Sequence, residues 1–198
     1  MKTKLSVLLG TAAAILAGCV VTSVCPYYTQ KDLVSEPAIL GHWTNVKNAG
    51  ETWRFEQSGY LACRLTLIES GKETVMEAYA FKLQGQLFLD IFSLEQDYHV
   101  IPAHYLLKVS QLAPTMRLSE LNDVWLKQLL AKDPTALRHN FVQSGDKPAD
   151  RRVVLTGNTP ELQKFIISHL ATEPAWKDAV ELKRNSTPTK TAQNKGTL

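Results

Sequence analysis

The chain has 198 residues, 44% hydrophobic and 21% charged, with a formal charge of +3. That length supports one domain with a sizeable core and not obviously two. Its basicity sits largely at the ends (Lys2 and Lys4, then a basic C-terminal stretch) and no basic–aromatic patch occurs, which argues against a nucleic acid partner.

Lys2 and Lys4 precede an apolar run from Leu5 to Leu16, and small residues follow. This is the pattern of a secretory signal, and the run is too short to span a bilayer. The four residues Leu16-Ala17-Gly18-Cys19 resemble the lipobox of bacterial lipoproteins. The resemblance implies cleavage after Gly18, removal of residues 1–18, and a mature chain that starts at a lipidated Cys19. Two or three acyl chains make a stable anchor where one does not. By resemblance to lipoprotein sorting, Val20 in place of Asp favours the outer membrane, facing the periplasm. No later segment is long and apolar enough to cross a membrane; the densest, Leu87 to Phe92, is broken by Asp90.

Residues 19–40 read as a lipidated tether, with a turn at Cys25-Pro26. Alternation begins after it. Trp53 and Phe55 share one face of a strand at 52–56, Ser58-Gly59 marks a turn, and Leu61, Cys63, Leu65 and Leu67 resume the apolar face. Glu69 to Lys72 and Gln84-Gly85 are further turns around a long strand from Glu73 to Leu83, and Gln86 to Phe92 follows. After a loop at 95–103, strands are expected at 104–111 and 115–118, and a short one at 153–155, about seven in all. In an oxidising compartment Cys25 and Cys63 could pair, yet Cys63 also fits a buried thiol; the spacing leaves both open.

The period then changes to helical. Leu121, Val124, Trp125, Gln128 and Leu129 share a face, Asn122 is placed to cap, and Asp133-Pro134 stops the run. Residues 143–152 read as a polar loop. Thr159-Pro160-Glu161 starts a second helix to about Ala171, with Thr159 as its cap, and a third is expected from Glu173 to Leu182. Residues 183–198, with Lys183, Arg184, Lys190 and Lys195 and no acid, read as a disordered tail. Strands followed by helices predict an α+β domain over 41–182: an antiparallel meander or open barrel with two or three packed C-terminal helices.

Gly41-His42-Trp43 before the first strand resembles the Gly-x-Trp start of lipocalins, and Asp97-Tyr98 resembles their second motif, with Gln96 in place of the Thr. The resemblance covers about residues 39–120. It implies an up-and-down barrel of eight strands with Trp43 at the closed end.

No catalytic constellation emerges. The histidines His42, His99, His104, His139 and His169 have no zinc or helical metal spacing, there is no Gly-x-Ser-x-Gly elbow, and the single Gly157 is no phosphate loop. No metal, cofactor or enzymatic activity is therefore expected. Glu77 breaks a local rule: it lies in register with Val75, Tyr79 and Phe81. Either that face is interior, making Trp53, Glu77, Tyr79 and Phe81 a ligand pocket, or Met76, Ala78 and Ala80 form the core side. The expectation is a lipid-anchored envelope protein acting as a non-enzymatic binding or interaction module. Its partner would be an apolar small molecule or an envelope component. The alternative is a scaffold subunit of an envelope assembly with no ligand pocket.

Overall fold

Period-two alternation puts one face of each strand from Gly41 onward into an apolar interior, and the sheet closes around it. The computed structural model describes residues 20–93, 103–143 and 151–185. The signal segment, Cys19, His99, the Asp97-Tyr98 motif, the middle of the 143–152 loop and the tail past Asn185 lie outside the described residues.

The strands, in chain order, are β1 (Thr22–Ser23), β2 (Gly41–Asn45), β3 (Glu51–Gln57), β4 (Ala62–Glu69), β5 (Lys72–Leu83), β6 (Gln86–Ser93), β7 (His104–Gln111), β8 (Thr115–Glu120), β9 (His139–Gln143), β10 (Arg151–Leu155) and β11 (Val180–Arg184). The helices are α1 (Asp123–Lys132) and α2 (Thr159–Ser168). Strands β2 to β8 form a meander of antiparallel neighbours, and β11 pairs with β8 on one edge and β2 on the other. The result is a closed eight-stranded antiparallel barrel with two helices, mostly β. The predicted turns hold: Ser70-Gly71 and Gln84-Gly85 each have both residues at positive φ, as tight two-residue hairpins need.

Closure separates two cores. Trp43, Trp53, Phe55, Leu65, Leu67, Met76, Ala78, Ala80, Leu89, Ile91, Leu107, Met116, Leu118 and Leu182 fill the barrel. Phe81, Phe88 and Leu106 point outward instead, into a layer shared with Val21, Tyr27, Leu126, Leu130, Leu162, Phe165 and Trp176. In that layer β7 branches. Its first residues pair with β1, β1 runs parallel to β10, and β10 pairs with β9.

Five expectations need correction. The barrel is closed, not open. The third helix is a single 3-10 turn at Glu173–Ala175, after which Val180 to Arg184 form a strand. Alternation at Val180 and Leu182 is weak, but the open edges of β2 and β8 need a partner, and that tertiary demand decides. Lys183 and Arg184 thus belong to the barrel, not to a tail. The segment from Val20 to Leu40 is no tether: Val21, Tyr27 and Ile39 are buried, Val34 N–H bonds to Ala80 O, and Lys82 N–H bonds to Asp32 O. In α2 the cap is Asn158, one residue before Thr159, in a reciprocal capping box with Glu161. Asn122 caps α1 as expected, accepting from Val124 and Trp125 N–H.

Candidate functional site

Three places gather polar groups around the barrel. At the end carrying the β3–β4, β5–β6 and β7–β8 turns, the 3-10 turn Pro37–Ile39 lies across the opening. Trp43 Nε1–H donates to Ile39 O at 2.8 Å. The Arg184 guanidinium lies 4.2 Å from the Trp43 ring centroid and donates to Leu40 O at 2.6 Å and to Ala38 O. Gly41 permits this with φ +125°; a Cβ there would stand 2.6 Å from Arg184 Nη1. This end is shut.

The other end is the mouth. Glu51, 6% exposed, points inward and accepts from Trp53 Nε1–H at 2.7 Å and Asn45 Nδ2–H at 2.8 Å. Beneath it a cavity of about 30 Å³ is lined by Trp53, Leu65, Leu67, Met76, Ile91, Leu107, Tyr105, Glu120 and Val20. That is space for about one water, against roughly 300–1,000 Å³ for a small-molecule site. Side chains fill the rest of the barrel. At the rim Lys177 Nζ reaches Glu120 Oε2 at 3.1 Å and Asp123 Oδ1 at 3.4 Å. Burial pushes the Glu120 carboxyl above its ordinary range in spite of Lys177. The charges of Glu120 and Asp123 hold the Lys177 ammonium above its ordinary value, against its own burial.

The third place is the outer wall, where β5, β6 and β7 turn Glu77, Tyr79, Asp90, Phe92 and His104 toward the N-terminal segment. Asp90 is fully buried. It accepts from Tyr27 N–H at 2.8 Å and lies 2.7 Å from His104 Nδ1. Tyr79 O–H donates to Glu77 Oε1 at 3.1 Å, and its ring lies beside those of Tyr28 and Phe92, at 5.1 and 6.1 Å. The Tyr27 hydroxyl is buried with no hydrogen-bond partner among the described residues. Burial first, and the Asp90 charge second, raise the Tyr27 and Tyr28 phenols far above the usual value.

The four residues expected to share a pocket are therefore split. Trp53 lines the mouth cavity; Glu77, Tyr79 and Phe81 lie on the outer face, and Met76, Ala78 and Ala80 form the interior side of β5. Of the two readings of β5 this is the second, and Trp53, Glu77, Tyr79 and Phe81 do not line one cavity. A strand buried on both faces defeats a parity argument, since both phases look apolar. Cys25 and Cys63 are free thiols, Cys25 against the outer layer and Cys63 against the barrel core. Burial raises the Cys63 thiol. The residues missed by sequence reasoning are Asp90 and His104. The available signal was a carboxylate inside the apolar run Leu87–Phe92, in phase with the outward Phe88 and Phe92.

Among the described residues, no group of three or more His, Cys, Asp and Glu side chains is placed to hold a metal ion. Also among them, no helix is long and apolar enough to cross a membrane. Comparison of the chain with protein-family models, with curated proteins and with solved structures finds no match.

Proposed function

We propose that this chain is a lipid-anchored envelope protein, held by Cys19 at the outer membrane and facing the periplasm. Its lipocalin-like barrel acts there as a non-enzymatic interaction module. Of the two forms this could take, an envelope scaffold that binds protein is favoured over a carrier of apolar small molecules. The observation that carries this is the filled barrel, whose cavity of about 30 Å³ is an order of magnitude short of a ligand site. Trp43 beneath the 3-10 turn, with Arg184 stacked on it, supports the lipocalin-like reading of the architecture. Architecture alone says nothing about cargo.

The test is recovery of the full-length protein from native envelopes, with mass spectrometry of Cys19 and titration with phenylnaphthylamine, an apolar fluorescent probe. The expected result is an acylated Cys19, no saturable probe binding, and reproducible cross-links to one envelope protein. Saturable binding near one probe per chain with quenching of Trp53 would restore the carrier reading. An unmodified Cys19 would remove the anchor.

A further inference from the structure

We infer that the mouth of the barrel faces the lipid bilayer, held there without a flexible spacer, so that the closed end with Trp43 and Arg184 points away from the membrane. The inference rests on the proposed anchor at Cys19 and adds an orientation and a contact surface to it.

It starts from where Val20 lies. Val20 lines the mouth cavity beside Trp53 and forms a bridge with Asn122 at the end of the barrel wall. The next residue, Val21, is buried in the outer layer, and Thr22–Ser23 are already paired with β7 and β10. Tyr27 is then tied at both ends of its peptide unit: its N–H goes to Asp90, and its carbonyl accepts from Gln163 at 3.0 Å. Thr159 Oγ1–H adds a bond to Pro26 O at 2.8 Å. No slack remains between the anchor residue and the folded body. Consecutive Cα atoms are about 3.8 Å apart, so whatever is attached one residue before Val20 is tied within one such step of Val20 at the mouth.

A diacylglyceryl thioether puts its sulfur at the level of the lipid headgroups when its chains enter the hydrocarbon. The mouth must then lie within a few ångströms of that level. The reverse arrangement, with acyl chains folded into the barrel, is denied by volume: a long acyl chain needs far more space than the cavity, which has room for roughly one water. The rim that would meet the headgroups carries Val46 and Val124, each 56% exposed, beside Lys47 and Lys72. Among the described residues, Glu51 is engaged by Trp53 and Asn45, and Glu120 and Asp123 by Lys177, while the exposed Glu73 sits next to Lys72 at the β4–β5 turn. Such a rim suits an interface of lipid headgroups, with the acyl chains supplying the affinity.

The experiment uses the full-length lipidated protein in vesicles of phosphatidylethanolamine and phosphatidylglycerol, with brominated acyl chains as quencher. A fluorophore is placed at the rim by Val46→Cys, or beyond the closed end by Tyr60→Cys, where the side chain is 88% exposed. Both are made in a Cys25→Ser, Cys63→Ser background. Quenching at the rim position is expected to exceed that at the closed end at least threefold. Eight Gly/Ser residues inserted between Cys19 and Val20 should erase the difference. Acylated protein with equal quenching at the two positions, or stronger quenching at position 60, overturns the orientation and leaves the anchor intact. An unmodified Cys19 by mass overturns both, so the two failures are distinct.

Discussion

Asp90→Ala tests whether the outer wall is a fastening for the N-terminal segment. The carboxylate is fully buried and receives two groups, Tyr27 N–H at 2.8 Å and His104 Nδ1 at 2.7 Å. Removing it orphans a buried amide, which costs about 1–3 kcal/mol, and strips His104 of its partner at a site where only 12% of that side chain is exposed, for a similar loss. The expected total is about 2–6 kcal/mol, a large share of the roughly 5–15 kcal/mol that holds a domain together. Urea unfolding gives the total. Hydrogen exchange at the Tyr27 amide gives the location, because a loosened strap exchanges ahead of the barrel. Asp90→Asn keeps an acceptor and should lose less. If Asp90→Ala costs under about 1 kcal/mol with the Tyr27 amide still protected, the carboxylate is not what holds the segment.

The closed end allows a coupled test: Gly41→Ala and Arg184→Ala should each cost about 1–3 kcal/mol in denaturant titrations, the first by placing a side chain at φ +125° against Arg184 and the second by losing two carbonyl contacts and the stack on Trp43. The double variant should lose less than the sum, because part of the first cost is the clash with Arg184. Since burial raises the Glu120 carboxyl above the value of 4.5 it has in the unfolded chain, the folded state keeps that proton longer, so its contribution to stability falls as pH rises from about 4.5 through the raised value. Glu120→Gln should flatten that decline in urea midpoints measured against pH; an unchanged slope would refute it. Leu65→Ala, at a fully buried site beside the mouth cavity, should cost about 2–5 kcal/mol in urea unfolding, and a cost under about 1 kcal/mol would show that the barrel interior is not close-packed there.

The meander was legible because turn chemistry and alternation agree. Ser70-Gly71 and Gln84-Gly85 announce their hairpins, and Trp53 and Phe55 announce an inward face. What escaped are elements whose conformation is set by distant neighbours. The strand at Val180–Arg184 owes its existence to two edges more than sixty residues away in sequence, at β8 and β2. The two residues of β1 are extended because β7 and β10 flank them, and no local pattern of two residues could say so. The site was misplaced for a related reason. With Phe81 and Phe88 buried outside the barrel and Ala78, Ala80 and Leu89 buried inside, hydrophobicity carries no information on which face is interior. Residue size does carry some: the small Ala78 and Ala80 face a crowded barrel, and the large Phe81 faces the wider gap beneath the helices.

The outer layer also explains why the N-terminal segment is folded and not a spacer. Phe81, Phe88 and Leu106 would make an apolar patch on the barrel wall if the wall met water, and residues 21–34 with α1 and α2 are what covers it. Covering it brings the chain across Asp90, and the fully buried carboxylate supplies the acceptor that the Tyr27 amide would otherwise lack. The same contacts then set where the chain leaves the body: β1 must lie beside His104 and Tyr105 of β7, at the mouth end of that strand, so Val20 emerges at the mouth and nowhere else. Any group attached one residue earlier inherits that position. The packing of the outer wall therefore fixes where Val20 lies, and, if the proposed anchor holds, a change that frees the segment from Asp90 should loosen the orientation together with the stability.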